Sequence, residues 1–143
     1  MFIGEYIYSI DDKKRLAIPK NFRPSLGKKA VITRGLDYSL VLYPFNEWEK
    51  VAKKLESLPN SQMDARGFTR MMLSGAVEVQ LDKLGRILIP DYLKEYAFLK
   101  KNLAIIGLSN KIEVWAKERW SEYKQKMEKE VGNVAERLGE MGV

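Results

Sequence analysis

The stretch DKLGRILIP, residues 82–90, sets an acid, two bases and a glycine ahead of an apolar run that stops at proline. Upstream, residues 11–19 spell DDKKRLAIP, with Asp, Arg, Ile and Pro at the same spacing. Sliding the chain on itself by 71 residues matches Gly4 to Gly75, Asp11 to Asp82, Arg15 to Arg86, Ile18 to Ile89 and Pro19 to Pro90. One further residue of slip matches Gly35 to Gly107, Leu36 to Leu108 and Trp48 to Trp120. The apolar pattern between these identities agrees as well, which is the signature of an internal duplication.

Each copy reads in the same order. An alternating stretch (EYIYSI or AVEVQL) predicts a strand, then comes the charged turn and a short β-rich run (LAIP or ILIP), together a hairpin ending at proline. A helical turn follows (KNFRPSL or DYLKEYAFL), then two apolar segments (AVITRGL and SLVLYP, or NLAIIGL and KIEVWA), then an amphipathic helix. In the first such helix Asn46 stands at a plausible N-cap with Glu49 three residues on, and Trp48, Val51, Ala52, Leu55 and Leu58 form its apolar face. These signals divide the chain into a first repeat with its helix (1–58), a connector helix region (59–74), a second repeat (75–116) and a C-terminal helical segment (117–143), all in one compact fold. The C-terminal segment aligns Trp120, Tyr123, Met127, Val131, Val134, Leu138 and Met141 on a stripe that asks for a neighbour, unless Gly132 and Gly139 break it into pieces that fold back.

In the turn, an acid can accept bonds from backbone N–H groups, and a residue tolerant of positive φ must follow. Gly85 suits that position, whereas Lys14 would pay on the order of 1 kcal/mol there, so the two turns are expected to differ. Asp11 and Asp82 are therefore read as turn-holding residues that orient Arg15 and Arg86. The plain alternative for the arginines is a solvated pair with these aspartates, worth about 0 to 1 kcal/mol.

Composition narrows the chemistry. The chain of 143 residues contains no cysteine and no histidine, which removes disulfides, thiolate chemistry, the usual general base and the commonest metal ligands. Neither a catalytic site, a metal nor a cofactor is expected. A carboxylate dyad made of Asp11 and Asp82 is disfavoured by the cations flanking each acid. No apolar run approaches the roughly 18 residues that span a bilayer, and the opening MFIGEYIYSI lacks the features of a secretory signal, so a cytoplasmic protein without membrane contact is expected. The net charge is +6, and the window from Asp11 to Arg34, which holds Lys13, Lys14, Arg15, Lys20, Arg23, Lys28, Lys29 and Arg34 against two aspartates, carries all of it. That concentration favours an anionic partner. Trp48, Trp115, Trp120, Phe68 and the MMLS run lie in apolar patterns and are read as packing residues.

The pattern D-x-K-G-R before an apolar strand and proline, present twice, resembles the MraZ family, and so do MFIGEY, LVLYPFNEWEKV and IEVWAKERW. This sequence departs from the family pattern at Lys14, where the family has glycine, and at Leu84, where it has lysine. The resemblance implies an α+β fold with a mainly β core: two AbrB-like swapped-hairpin repeats, interleaved about a pseudo-twofold axis into one small barrel, with flanking helices and a C-terminal helix. It also implies a closed, octamer-like ring of subunits that binds short direct repeats in double-stranded DNA upstream of the division and cell wall gene cluster, usually as a repressor, and hence a nucleoid-associated protein. On that reading Arg15 makes the specific base contact, Lys13 and Lys14 meet phosphate or nearby base edges, Arg86 and Lys83 play a secondary part, and Lys20 and Arg23 add phosphate contacts. The alternatives are an RNA-binding module, since phosphate contacts do not distinguish the polymers, and a basic ring-forming assembly protein without sequence-specific DNA binding.

Overall fold

A computed structural model describes residues 1–142; the final residue of the expected 117–143 segment lies outside the described residues. The first half contains β1 (Phe2–Ser9), β2 (Arg15–Ala17), a 3-10 turn (Lys20–Phe22) leading into α1 (Arg23–Leu26), β3 (Lys29–Arg34), β4 (Leu40–Pro44) and α2 (Phe45–Glu56). After α3 (Met63–Gly75) the second half repeats the order with β5 (Val77–Gln80), β6 (Arg86–Leu88), α4 (Asp91–Tyr96), β7 (Asn102–Ser109), β8 (Ile112–Ala116) and α5 (Lys117–Leu138).

The duplication is most visible in how the strands pair. Six strands form one antiparallel sheet in the order β1-β7-β8-β4-β3-β5, and β2 pairs with β6 in a separate ribbon. Exchanging each strand for its counterpart in the other repeat reverses the six-strand order into itself, so the sheet has pseudo-twofold symmetry. Both terminal pairings cross between repeats: β1 lies on β7 and β5 lies on β3. The strands flanking each charged turn do not pair with one another, so the expected hairpin is local to the turn, after which its arms separate to find partners in the other repeat. Nor is the expected closed barrel formed, because the six-stranded sheet ends in β1 and β5, which are not paired to each other. The β2–β6 ribbon covers the core by packing instead. Its Leu16 and Ile87, with Ile18 and Ile89, join Ile32, Leu42, Leu103, Ile105 and Val114 in a single buried cluster.

Alternation in β1 works with an unexpected choice of inward residues. Phe2 is buried and Tyr6 and Tyr8 are half-buried, with Tyr6 edge-on to Phe22 at 5.3 Å, while Ile3 and Ile7 face outward. Strand β4 runs straight into α2, with Pro44 as the N-cap residue and no side-chain cap. Asn46 therefore lies inside the first turn rather than at the cap, since no linker separates strand from helix. Helix α3 docks on β3 through Thr33, whose hydroxyl donates to the Met72 carbonyl at 2.6 Å.

The C-terminal helix runs unbroken through Gly132 to Leu138, and none of its residues is buried. An interior glycine costs only about 1 kcal/mol, which a long helix tolerates. Its start is tied to β1, where Glu5 accepts from the Trp120 indole and, at 2.7 Å, from Lys124. Trp120 and Tyr123 pack on Trp115 of β8, with ring centroids 5.4 and 5.2 Å away, and beyond that anchor Val131 and Leu138 are exposed, so the outer part of the apolar stripe is left uncovered. No helix among those residues is long and apolar enough to cross a membrane.

Candidate nucleic-acid interface

The two charged turns share one geometry. In the first, the Lys14 N–H donates to the Asp11 carbonyl at 3.0 Å and the Asp11 N–H to the Arg15 carbonyl at 3.0 Å; in the second, Gly85 donates to Asp82 at 3.0 Å and Asp82 to Arg86 at 2.9 Å. Asp11 Oδ1 accepts from the Lys13 and Arg15 N–H groups, both at 2.9 Å, and Oδ2 from Arg15 Nε at 2.8 Å. Asp82 repeats this set with Leu84, Arg86 and Arg86 Nε at the same distances. Each carboxylate thus closes its turn and fixes the arginine that follows. Because the carboxylate takes Nε, the terminal Nη groups of Arg15 are left for another acceptor, in the fork that suits a bidentate contact.

The turns do not differ in backbone as expected. Lys14 adopts φ +63° and Gly85 φ +75°, so the lysine accepts the left-handed strain. The reason lies across the pseudo-twofold axis. In that conformation the Lys14 carbonyl accepts from the Ile89 N–H at 3.0 Å, and the Gly85 carbonyl accepts from Ile18 at 2.9 Å. Each left-handed residue clamps the opposite repeat, and Lys14 gains an ion pair with Asp91 at 2.5 Å.

Three-residue strands keep the turns together. The register sets Arg15 opposite Leu88, Leu16 opposite Ile87 and Ala17 opposite Arg86. Side chains alternate, so Leu16 and Ile87 face the core while Arg15, Arg86 and Leu88 share the outer face, where Leu88 is 57% exposed. Arg86 Nη1 lies 3.8 Å from Asp11 Oδ2, which links the two turns electrostatically.

Lys13 and Lys83 are exposed at the turn tips, and Lys20 is exposed where the 3-10 turn begins. Lys14 is directed to Asp91, and Arg23 is half-buried, its Nε donating to the Ile18 carbonyl at 2.9 Å while its guanidinium covers Gly85. A Cβ at Gly85 would collide with that guanidinium, so copy two needs glycine for space as well as for φ. Sequence reasoning missed Asp91, Leu88 and the Arg23–Gly85 contact. Each depends on a neighbour from the other repeat, which no spacing within one motif reveals.

Both turn carboxyls are held below their ordinary values, Asp11 chiefly by the Arg15 backbone N–H and Asp82 chiefly by that of Arg86. A carboxyl depressed by folding adds stability that is complete above its unfolded value and is lost as pH falls through its folded value. Urea unfolding followed from neutral pH downward will therefore show an acid loss below about pH 3.8, the unperturbed aspartate value. The Asp82→Asn protein, which cannot ionise there, will be less stable at neutral pH and will show a smaller acid loss. Parallel acid limbs in the two proteins would refute this role.

Among the described residues no group of three or more acids could hold a metal ion. These features define a duplicated, strand-exchanged α+β protein whose one exposed ribbon carries a pair of carboxylate-braced arginines. A family model described as "MraZ protein, putative antitoxin-like" matches the chain twice, over residues 1–71 and 72–140. The chain is 48% identical over 143 residues to the transcriptional regulator MraZ of Halothermothrix orenii, covering all of both chains. It is 46% identical over 138 residues to the transcriptional regulator MraZ of Natranaerobius thermophilus, covering 96% of each chain. Against the protein of that name from Pelotomaculum thermopropionicum it is 48% identical over 143 residues, covering all of this chain and 99% of the other. The chain belongs to the MraZ family, whose members named here are transcriptional regulators rather than enzymes.

Proposed function

We propose that this protein regulates transcription by laying the outer face of its β2–β6 ribbon into the major groove of double-stranded DNA, which is wide enough for a two-stranded ribbon. The observation that carries the reading is the pair of arginines on that face, each braced through Nε by its turn aspartate. Arg15 donates to O6 and N7 of a guanine, the exposed Lys13 meets phosphate or a nearby base edge, and Arg86 with Lys83 contacts the duplex from the second turn. Lys14 makes its contact from a position set by Asp91, and Lys20 and Arg23 add phosphate contacts. The relatives' names support the regulatory class. The duplex is the set of short direct repeats upstream of the division and cell wall genes, and binding there represses them in the nucleoid.

Self-association into a closed ring completes the proposal. One ribbon offers a small contact, and identical ribbons at a fixed step gain effective concentration on repeated boxes. Two exposed apolar features support a contact between copies: the uncovered outer part of the α5 stripe, and a groove whose lining includes Leu36, Met63, Phe68, Met71 and Tyr96. Sedimentation should show a species several chains in size.

The test is a titration of labelled duplex from upstream of the protein's own gene beside a scrambled duplex of equal composition, across a salt series, with structured RNA as a third ligand. Arg15→Ala should lose about 1 to 3 kcal/mol on the specific duplex and little on the scrambled one, whereas Lys20→Ala should weaken both alike and flatten the salt slope. Equal losses on both duplexes for Arg15→Ala would remove its base-reading role. Preference for RNA at equal salt would move the function to that polymer.

A further inference from the structure

Arg23 and Lys28, which follow the first turn in sequence, lie beside the second in space. Ile18 donates to Gly85, and Arg23 covers the same glycine, so strand exchange carries α1 of the first repeat to the turn of the second. Conversely, Asp91 at the start of α4 lies against Lys14 in the first turn. Each turn is flanked by a helix from the other repeat, and the two flanks are chemically unlike.

Beside the second turn lies an open groove whose lining includes Arg23, Gly27, Lys28, Asp82 and Lys83. It presents three cations and one carboxylate, and that carboxylate is already engaged by Arg86 Nε at 2.8 Å. On the counterpart helix, a groove along α4 lined by Asp91, Lys94, Glu95, Phe98 and Lys100 sets two cations against two carboxylates. Shape separates them too. Gly27 takes φ +77° and a Cβ there would meet nothing within 4 Å, so the first-repeat groove is clear. Its counterpart Phe98 holds φ +55° and adds a ring that is 54% exposed, packed on Tyr38 at 5.6 Å and under Arg119 at 5.1 Å.

We propose that the groove between α1 and the second turn is a DNA backbone site that takes a phosphodiester group of the duplex lying on the ribbon, with Lys28, Lys83 and the Nη groups of Arg23 as its cations, and that the opposite groove takes none. The inference rests on the functional reading above and deepens it: recognition is lopsided, with base reading centred on Arg15 and the backbone grip on the other turn. The electrostatics favour this assignment because cations without nearby carboxylates release the most counterions when phosphate arrives. Among the described residues none of Lys28, Lys83, Lys94 and Lys100 is in an ion pair, but Lys94 and Lys100 share their groove with Asp91 and Glu95, and Lys94 is close enough to Asp91 to help hold its carboxyl below the ordinary value.

Matched double variants test it: Lys28→Gln with Lys83→Gln at one groove, and Lys94→Gln with Lys100→Gln at the other, each titrated on specific and scrambled duplex across a salt series. The first pair should lose about tenfold or more in affinity at moderate salt on both duplexes, and the slope of log affinity against log salt should flatten by about two. The second pair should change affinity by less than about twofold and leave the slope unaltered, while thermal unfolding of both variants stays that of the parent. Equal losses from the two pairs, or an unaltered slope in the first, would overturn the proposal while leaving DNA binding itself intact. Failure of the unmodified protein to bind any duplex would overturn the functional reading and this one with it.

Discussion

The Gly107→Ala protein will be less stable than its parent by about 3 kcal/mol, the upper end of what overpacking costs, and will unfold at a clearly lower urea concentration. Gly107 sits in β7 opposite Gly4 of β1. A methyl group there would stand 2.5 Å from the Ile3 nitrogen, 2.6 Å from the Phe2 carbonyl carbon and 2.9 Å from the Ile3 Cα. All three are backbone atoms, which cannot turn aside as a side chain can. The alanine must push β1 off β7, and with it the pairing that joins the N-terminal strand of one repeat to the other, including the burial of Phe2. Gly132→Ala is the control. Nothing lies within 4 Å of its methyl in the middle of exposed α5, so it should raise stability by about 0.5 to 1 kcal/mol through helix propensity alone. A neutral Gly107→Ala would mean that β1 is free to shift, contrary to its eight paired residues.

Truncating Leu16 to alanine will cost about 2 to 5 kcal/mol, the range for large buried aliphatics. Leu16 is 0% exposed and its register partner Ile87 is 1% exposed. A ribbon of three residues per strand has little hydrogen bonding to hold it, so these two side chains fasten it to the core. Ile87→Ala should cost a similar amount. The double variant should cost measurably less than both singles together, because contacting residues share the cavity that the first substitution opens. Full additivity in urea midpoints would show that the two sites relax independently. On the proposed function, loosening the ribbon should also weaken binding to the specific duplex more than to the scrambled one, since Arg15 and Arg86 are aligned by the same three residue pairs.

The local features were legible in the sequence because their causes are local. The repeated Asp, Arg, Ile and Pro reported the duplication, and an acid four residues before an arginine gave the turn its closing hydrogen bonds. Gly85 was found as the left-handed position from turn chemistry alone, and the order of strands and helices followed from apolar periodicity. The reading of Lys14 failed for an instructive reason. Its propensity cost was correctly identified, but the clamp to Ile89 and the ion pair with Asp91 that offset it come from the other repeat. Similarly, Asn46 carried a sound capping signal, yet β4 runs directly into α2 at Pro44 and leaves no cap position for it.

The sequence by itself determined that this is a duplicated α+β protein without cysteine or histidine chemistry, with paired acid-arginine turns and a net positive charge, because composition and short-range pattern suffice for those statements. Only the tertiary structure decided which helix flanks which turn. Pairing of β1 with β7, β5 with β3 and β2 with β6 is set by burying one shared core, and that exchange brings Arg23 and Lys28 of the first repeat to the second turn and Asp91 of the second repeat to the first. A charge count along the chain placed the basic surface around Arg15. In space two of its cations, Arg23 and Lys28, lie beside the second turn, since strands separated by half the chain pack together wherever their apolar faces are best covered.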